Sequence, residues 1–167
     1  WIRDGLNYDT WLDNFRRGCA ISTHGRQMRL DLTITTPGLL DLKNMFRLSK
    51  QLNVEMLTKV TFAFTPDIVL SPIALPRKLL DQIVDELLDF IQPLADAKQQ
   101  SLVDVLKQLK NRPVFEETWP DQYKQAWKEG KRKQERIAAI RNDSKKLTLE
   151  QIFSQDQRLL DWWDSIG

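Results

Sequence analysis

Two strand-like segments separated by a helical segment limit the folds open to this chain. Leu30, Leu32 and Ile34 alternate with polar residues, which is typical of a β-strand with one apolar face. A second strand is predicted over residues 57–64, and an apolar stripe at helical spacing lies between the two. Strands joined through a helix run parallel, so the pattern predicts an α/β fold built from parallel βαβα units.

Amphipathic helices account for most of the remaining pattern. Apolar residues recur at helical spacing around Trp11, Phe46, Leu80 and Leu106, and Pro76 suits a helical first turn. Residues 1–92 therefore alternate helix and strand, whereas residues 93–167 are predicted to form a helical, basic C-terminal extension. A capping box at Thr148 and Gln151 predicts the start of a short helix, and the apolar residues Leu159, Leu160, Trp162, Trp163 and Ile166 finish the chain.

Composition excludes several classes of protein. The chain has 167 residues, 41% of them hydrophobic and 29% charged, enough for a domain with a real core. Its single cysteine, Cys19, excludes an internal disulfide and any site built from several thiolates of this chain. No run approaches the roughly 18 apolar residues of a membrane span, and no export leader is visible. These observations predict a cytoplasmic protein without a membrane partner.

The polar side of the first strand is the strongest functional signal in the residues themselves. Arg29, Asp31, Thr33 and Thr35 share this side, although a parallel strand covered on both faces is apolar nearly throughout. One interpretation is a polar barrel interior or ligand cleft near the carboxyl end of the strand. The other is an edge strand with one solvated face. The periodicity alone leaves both open.

A basic stretch near the C-terminus has two interpretations. Residues 128–146 contain eight Lys or Arg against three Asp or Glu. The favoured interpretation is a surface helix with a narrow apolar stripe, and the alternative is a surface that contacts phosphates. The residues that would carry the alternative are Tyr123, Trp127, Lys131, Arg132, Lys133, Arg136 and Arg141.

The opening of the chain resembles a segment of radical S-adenosylmethionine (SAM) enzymes. In many of these enzymes an Ile-Arg-x-Gly element follows the fourth barrel strand, and here Ile2-Arg3-Asp4-Gly5 precedes Asn7 and Tyr8. Residues 30–35 and 59–66 are similar to the fifth and sixth strands of their partial (β/α) barrel. Residues 148–153 with Trp162 and Trp163 resemble the tail of members that carry a twitch accessory domain.

This resemblance implies a set of cofactors and contacts. The family uses S-adenosylmethionine and a [4Fe–4S] cluster held by a three-cysteine motif, which this sequence lacks. The resemblance therefore implies that residues 1–92 form the C-terminal portion of the barrel and that a missing N-terminal part of the same protein holds the cluster. Arg3 matches the arginine that pairs with the carboxylate of the cosubstrate. The other implied cosubstrate and substrate contacts are Asp31, Thr33, Thr35, Phe64 and Thr65.

Three functional hypotheses follow. The leading one is the C-terminal segment of a radical SAM enzyme, which helps to enclose cosubstrate and substrate but is not catalytic alone. The second is a non-catalytic binding module whose basic, aromatic C-terminal half holds RNA or a protein partner. The third is a structural fragment that associates with itself through unpaired strand edges. The substrate stays open between peptide, nucleic acid and small molecule.

Overall fold

A two-stranded parallel sheet and a set of packed helices form the fold. The computed structural model describes residues 7–23, 28–62, 67–141 and 147–167. The strands are β1 (Arg29–Ile34) and β2 (Glu55–Val60). The helices are α1 (Tyr8–Ile21), α2 (Leu42–Leu52), α3 (Arg77–Ile91), α4 (Gln100–Asn111), α5 (Phe115–Thr118), α6 (Tyr123–Arg141), α7 (Leu149–Phe153) and α8 (Gln157–Ser165). Short 3-10 turns lie at Pro37–Asp41, Ile68–Leu70, Pro72–Ala74 and Gln92–Leu94.

The predicted parallel βαβ unit is confirmed. Strand β1 pairs with β2 in parallel, from Arg29 opposite Glu55 to Ile34 opposite Val60, and α2 lies in the connection. Asn53 ends α2 in the left-handed conformation at φ 55°, which its short polar side chain tolerates. The chain can therefore turn directly from the helix into β2.

Strand β2 begins and ends earlier than its sequence pattern predicts. The apolar alternation predicts a strand over residues 57–64, whereas the strand runs over Glu55–Val60. Pairing stops because β1 ends at Ile34 and the chain turns at Pro37, which has no backbone N–H to donate. The last bond of the ladder runs from the Thr61 N–H to the Ile34 carbonyl at 2.9 Å.

One hydrophobic core receives side chains from both sides of Pro93. Leu30, Phe46 and Leu80 from the first part and Leu106 and Phe153 from the second are all buried in it. Helix α4 packs on β2 and α3, and α7 contacts the Pro37–Asp41 turn. The predicted boundary near Pro93, between residues 1–92 and the C-terminal extension, stays a prediction. The hydrophobic core is continuous across it.

The start of α4 closes the outer edge of β2. The Met56 N–H donates to the Lys98 carbonyl at 2.8 Å, and the Thr58 N–H donates to the Ser101 hydroxyl at 3.0 Å. Strand edges otherwise present unpaired N–H groups that invite another strand. Residues 98–101 therefore end the sheet on this side without a third strand.

A buried polar chain holds residues 96–101 in this position. The Gln99 amide donates to the Ser49 hydroxyl at 2.9 Å, and this hydroxyl donates to the Val54 carbonyl at 2.7 Å. Gln99 and Ser49 are almost completely buried, and each finds its partner here. This chain links the end of α2, the start of β2 and the start of α4.

Arg77 joins three helices at the opposite end of α4. Its guanidinium donates to both Glu117 carboxylate oxygens at 2.9 Å and to the carbonyls of Lys110 and Arg112 at 2.9 and 2.6 Å. The carbonyls at a helix C-terminus have no partner within the helix, so Arg77 satisfies groups that α4 itself leaves unpaired. The Arg77 guanidinium holds the pKa of Glu117 well below its usual range, at about 2.

No helix among the described residues is long and apolar enough to cross a membrane.

Replacement of Ser101 by alanine is expected to destabilise the fold. The substitution leaves the part-buried Thr58 N–H without its partner, at an expected cost of about 1–3 kcal/mol in the free energy of unfolding. Urea denaturation measures this cost. Ser154→Ala is the control, because the exposed Ser154 hydroxyl is replaced by water at little cost. Equal stability of the two variants would contradict the role given to Ser101.

Glu117 is expected to make stability depend on pH below its ordinary pKa. Because its pKa is about 2 in the folded chain and 4.5 when unperturbed, its stabilisation is present above pH 4.5 and is lost as the pH falls toward 2. The carboxylate side chain is 44% exposed, so we expect a contribution of only about 1 kcal/mol. Thermal denaturation of the wild-type chain and of Glu117→Gln between pH 6 and pH 2.5 measures it. The stability difference should shrink toward low pH, and a constant difference would contradict the assignment.

Candidate functional site

The two faces of the sheet differ in character. Leu30, Ile34 and Met56 point into the core and are buried. The register places Arg29 opposite Glu55, Asp31 opposite Leu57 and Thr33 opposite Lys59. Paired residues of a parallel ladder share a face, so these six residues form one surface, which we call the outer sheet face. Five of them are exposed and Glu55 is half-buried.

Three kinds of polar group lie side by side on the outer sheet face. Asp31 pairs with Arg29, whose Nε lies 2.8 Å from its Oδ1, and both side chains are about half exposed. An ion pair this exposed adds little stability. The Thr33 hydroxyl and the Lys59 ammonium have no partner among the residues that the structure describes. The face therefore offers a carboxylate, a hydroxyl and an ammonium to a polar ligand.

Thr35 differs from Asp31 and Thr33 although all three were predicted as one set. It lies beyond the end of β1, is only 8% exposed, and its Oγ1 accepts a hydrogen bond from the Gly38 N–H at 3.1 Å. The hydroxyl can still donate its hydrogen. Its oxygen, however, is already engaged in shaping the turn that follows the strand.

The remaining predicted contacts cannot be located. Arg3, Phe64 and Thr65 lie outside the described residues, so their roles stay predictions. Cys19 lies half-buried on α1. Within residues 7–23, 28–62, 67–141 and 147–167 no three His, Cys, Asp or Glu side chains are grouped to hold a metal ion.

The two edges of the sheet are not equivalent. In a parallel ladder, alternate residues direct both backbone groups to the same neighbouring strand. The bond to the Ile34 carbonyl shows that Leu30, Leu32 and Ile34 face β2. Asp31 and Thr33 therefore direct their N–H and C=O groups to the other edge. These groups have no hydrogen-bond partner in the described part of the chain, so the β1 edge is open.

Three of the residues proposed to contact phosphates or bases make contacts within the fold instead. Trp127 is only 9% exposed, and its ring packs edge-on against Trp162 with the centroids 5.9 Å apart. Lys131 donates to the carbonyls of Trp163 and Ile166 at 2.8 and 3.2 Å. Lys133 pairs with Asp67 at 2.8 Å. Stacking on Trp127 and phosphate contacts from these two lysines would require these interactions to open.

Sequence reasoning missed Lys59 and Leu57 as members of the outer sheet face. The sequence pattern predicts a strand over residues 57–64 but does not say which of its residues lie beside which residues of the first strand. Only the register of the sheet supplies this pairing. The alternation of Leu57 and Lys59 with the buried Met56 and Thr58 was the available signal.

Comparisons with protein-family models, with curated proteins and with solved structures give no match for this chain.

Amide hydrogen exchange is expected to distinguish the two edges of the sheet. The N–H groups of Asp31 and Thr33 point to the open edge and should exchange with deuterium much faster than those of Leu32, Met56 and Thr58. Exchange followed by NMR on the dilute chain measures this. Protection of Asp31 and Thr33 that persists on dilution would contradict an open edge, whereas protection that grows with concentration would indicate pairing between copies.

Proposed function

We propose that this chain is the C-terminal segment of a radical SAM enzyme and forms the last part of its partial (β/α) barrel. The observation that supports this most is the outer sheet face. Parallel sheets are normally covered on both sides, yet here one side is apolar and buried while the other is exposed and polar. In the partial barrels of the family that this sequence resembles, helices cover the outside and the fifth strand points polar residues at the ribose and substrate.

The two edges of the sheet support the same proposal. The β2 edge is closed by Lys98 and Ser101, as expected for the last strand of an incomplete barrel. The β1 edge is open at Asp31 and Thr33, where a preceding barrel strand would pair. The proposed partner at this edge is the N-terminal part of the same protein.

Roles for individual residues follow from their position on the outer sheet face. The Asp31 carboxylate accepts hydrogen bonds from ribose hydroxyls or from substrate, and Thr33 donates and accepts beside it. Thr35 contributes its hydroxyl hydrogen and one lone pair, because the Gly38 N–H occupies the other lone pair of the oxygen. Arg3, Phe64 and Thr65 remain part of the proposal through the resemblance alone.

The proposal assigns the [4Fe–4S] cluster to the N-terminal part. A cluster of this kind needs several thiolates, and this chain has one cysteine. Cys19 is half-buried on α1 and belongs to the packing there. When bound, the cluster supplies the electron that cleaves S-adenosylmethionine. The present chain binds and orients, and its proposed location is the cytoplasm.

The sequence upstream of Trp1 in the parent gene is the first test. Three closely spaced cysteines after a predicted strand are expected there. An upstream region without this motif would refute the proposal.

A second test measures the role of Asp31 in the assembled protein. Asp31→Asn keeps the shape of the side chain but removes its charge, and should weaken binding of S-adenosylmethionine roughly tenfold if the carboxylate accepts ligand hydrogen bonds. Calorimetry on the full-length protein measures the affinity. Asp121→Asn is the control, because Asp121 is exposed and lies just before α6, outside the sheet. Equal affinities for the two variants would remove Asp31 from the site.

A further inference from the structure

A cleft that shares only Lys59 with the outer sheet face lies between the last residues of β2 and the second half of α4. We call it the β2–α4 cleft. Its volume is about 630 Å³, and its lining includes Thr58, Lys59, Phe62, Lys107, Gln108 and Arg112. This volume lies within the range of about 300–1,000 Å³ that small-molecule sites occupy. It lies beyond the hydrogen bond from Thr58 to Ser101, between the end of β2 and the α4 residues up to Arg112.

The lining of this cleft has an excess of positive charge. Lys59, Lys107 and Arg112 contribute three cations, and no carboxylate is among the described lining residues. None of the three cations forms an ion pair within the described part of the chain. Among the cations of the other grooves, Lys133 pairs with Asp67 and Arg29 with Asp31, whereas Arg132 and Arg136 form no ion pair with the described residues. Three unpaired like charges around one concavity favour an anion.

Arg112 is held in a defined position. Its guanidinium carbon lies 3.7 Å from the centroid of the Phe62 ring, a cation–π distance. The Arg112 carbonyl accepts a hydrogen bond from Arg77 at 2.6 Å, which fixes the backbone at the end of α4. Phe62 itself is 39% exposed. The cleft therefore combines an oriented guanidinium fork with exposed aromatic surface.

Thr58 supplies an independent indication of a ligand. It lines the cleft and is only 7% exposed, yet its Oγ1 has no hydrogen-bond partner among the described residues. A buried hydroxyl without a partner costs about 1–3 kcal/mol, and such groups in folded proteins are few. The oxygen is shielded from solvent, so a ligand in the cleft can bond to this hydroxyl only when the Thr58 side chain rotates toward it.

We propose that the β2–α4 cleft binds a small organic anion whose carboxylate or phosphate is carried on an aromatic body. Arg112 binds the anionic group through its guanidinium fork, and Lys59 and Lys107 add attraction from the two walls. The aromatic body packs against Phe62 and the apolar lining residues Val60 and Val105. This site goes beyond the proposed function and does not rest on it, because it lies on the α4 side of β2.

The test is an NMR titration of the ¹⁵N-labelled chain with three probes of one shape: phenyl phosphate, benzoate and the neutral benzyl alcohol. Either anion should shift the amide signals of Lys59, Phe62 and Arg112, with a dissociation constant on the order of 1 mM. Benzyl alcohol should bind at least tenfold more weakly. Tighter binding of phenyl phosphate identifies a phosphate ester as the ligand group, and tighter binding of benzoate identifies a carboxylate.

Two charge variants test the cations. Arg112→Gln and Lys107→Gln should each weaken binding of the preferred anion roughly threefold to tenfold. Both side chains are exposed, so the fold should persist, and circular dichroism checks this. Lys78→Gln is the matched control, because Lys78 is an exposed lysine of α3 outside the cleft. It should leave the affinity unchanged.

A pair of isosteric variants tests the buried hydroxyl. Thr58→Val should weaken anion binding while leaving the stability of the unliganded chain unchanged or higher, because it removes an unpaired polar group. Thr36→Val is the control. Thr36 is also buried with an unpaired hydroxyl but is not a lining residue of the cleft, so its replacement should not affect binding.

Three results would each overturn the proposal. These are equal binding of benzyl alcohol and the anions, shifts confined to residues outside the cleft, and an affinity that Arg112→Gln does not change. None of them bears on S-adenosylmethionine or on an upstream cysteine motif, so the site and the proposed function stand or fall separately.

Discussion

The contact between the start of α4 and the edge of β2 is the constraint on which the rest of the structure depends. A two-stranded sheet is marginal by itself, because its hydrogen bonds are few and both of its edges are open. Two backbone N–H groups of β2 attach the start of α4 to one edge: Met56 donates to the Lys98 carbonyl and Thr58 to the Ser101 hydroxyl. The buried hydrogen bond between Gln99 and Ser49 fixes the position of this attachment along β2. Helix α3 then packs on α4, and the core fills between them.

Two arginine side chains connect α5 and α8 to the helices that pack on the sheet. Arg77 binds the end of α4 and the carboxylate of Glu117, so α3, α4 and α5 meet at one guanidinium. Arg158 does the same for α8, because it donates to both Glu86 on α3 and Asp156. A lysine could supply the charge in either place but not the planar fork with its several donors. The cleft beside Arg112 lies between the same two elements, β2 and α4.

The sequence predicts elements well where one local rule decides them. The alternation around Leu32 predicts β1, the stripe after Pro76 predicts α3, and the capping box at Thr148 predicts the start of α7, which the structure confirms with Thr148 and Gln151 bonded reciprocally. It fails where a distant partner decides. The end of β2 depends on where β1 turns.

The candidate sites follow the same division. The polar side of β1 can be predicted from the sequence, because alternation alone places Asp31 and Thr33 on the same face of the strand. Lys59 joins them only through the register with β2, and Lys107 and Arg112 come near Phe62 only through the path of α4. Alternation cannot show that Thr35 turns inward either, because this depends on its bond to Gly38.

The sheet therefore separates two surfaces of different chemistry. The outer sheet face mixes a carboxylate, a hydroxyl and cations beside a strand edge that is unpaired in the described part of the chain, which suits a polar ligand. The β2–α4 cleft is bounded by elements of this chain, its charged lining residues are all cations, and Thr58 beside it has an unsatisfied hydroxyl. An unpaired strand edge can accept another strand, whereas a concave cationic cleft can accept a solute. Lys59 borders both surfaces, so occupation of one would alter the electrostatic potential at the other through this single ammonium.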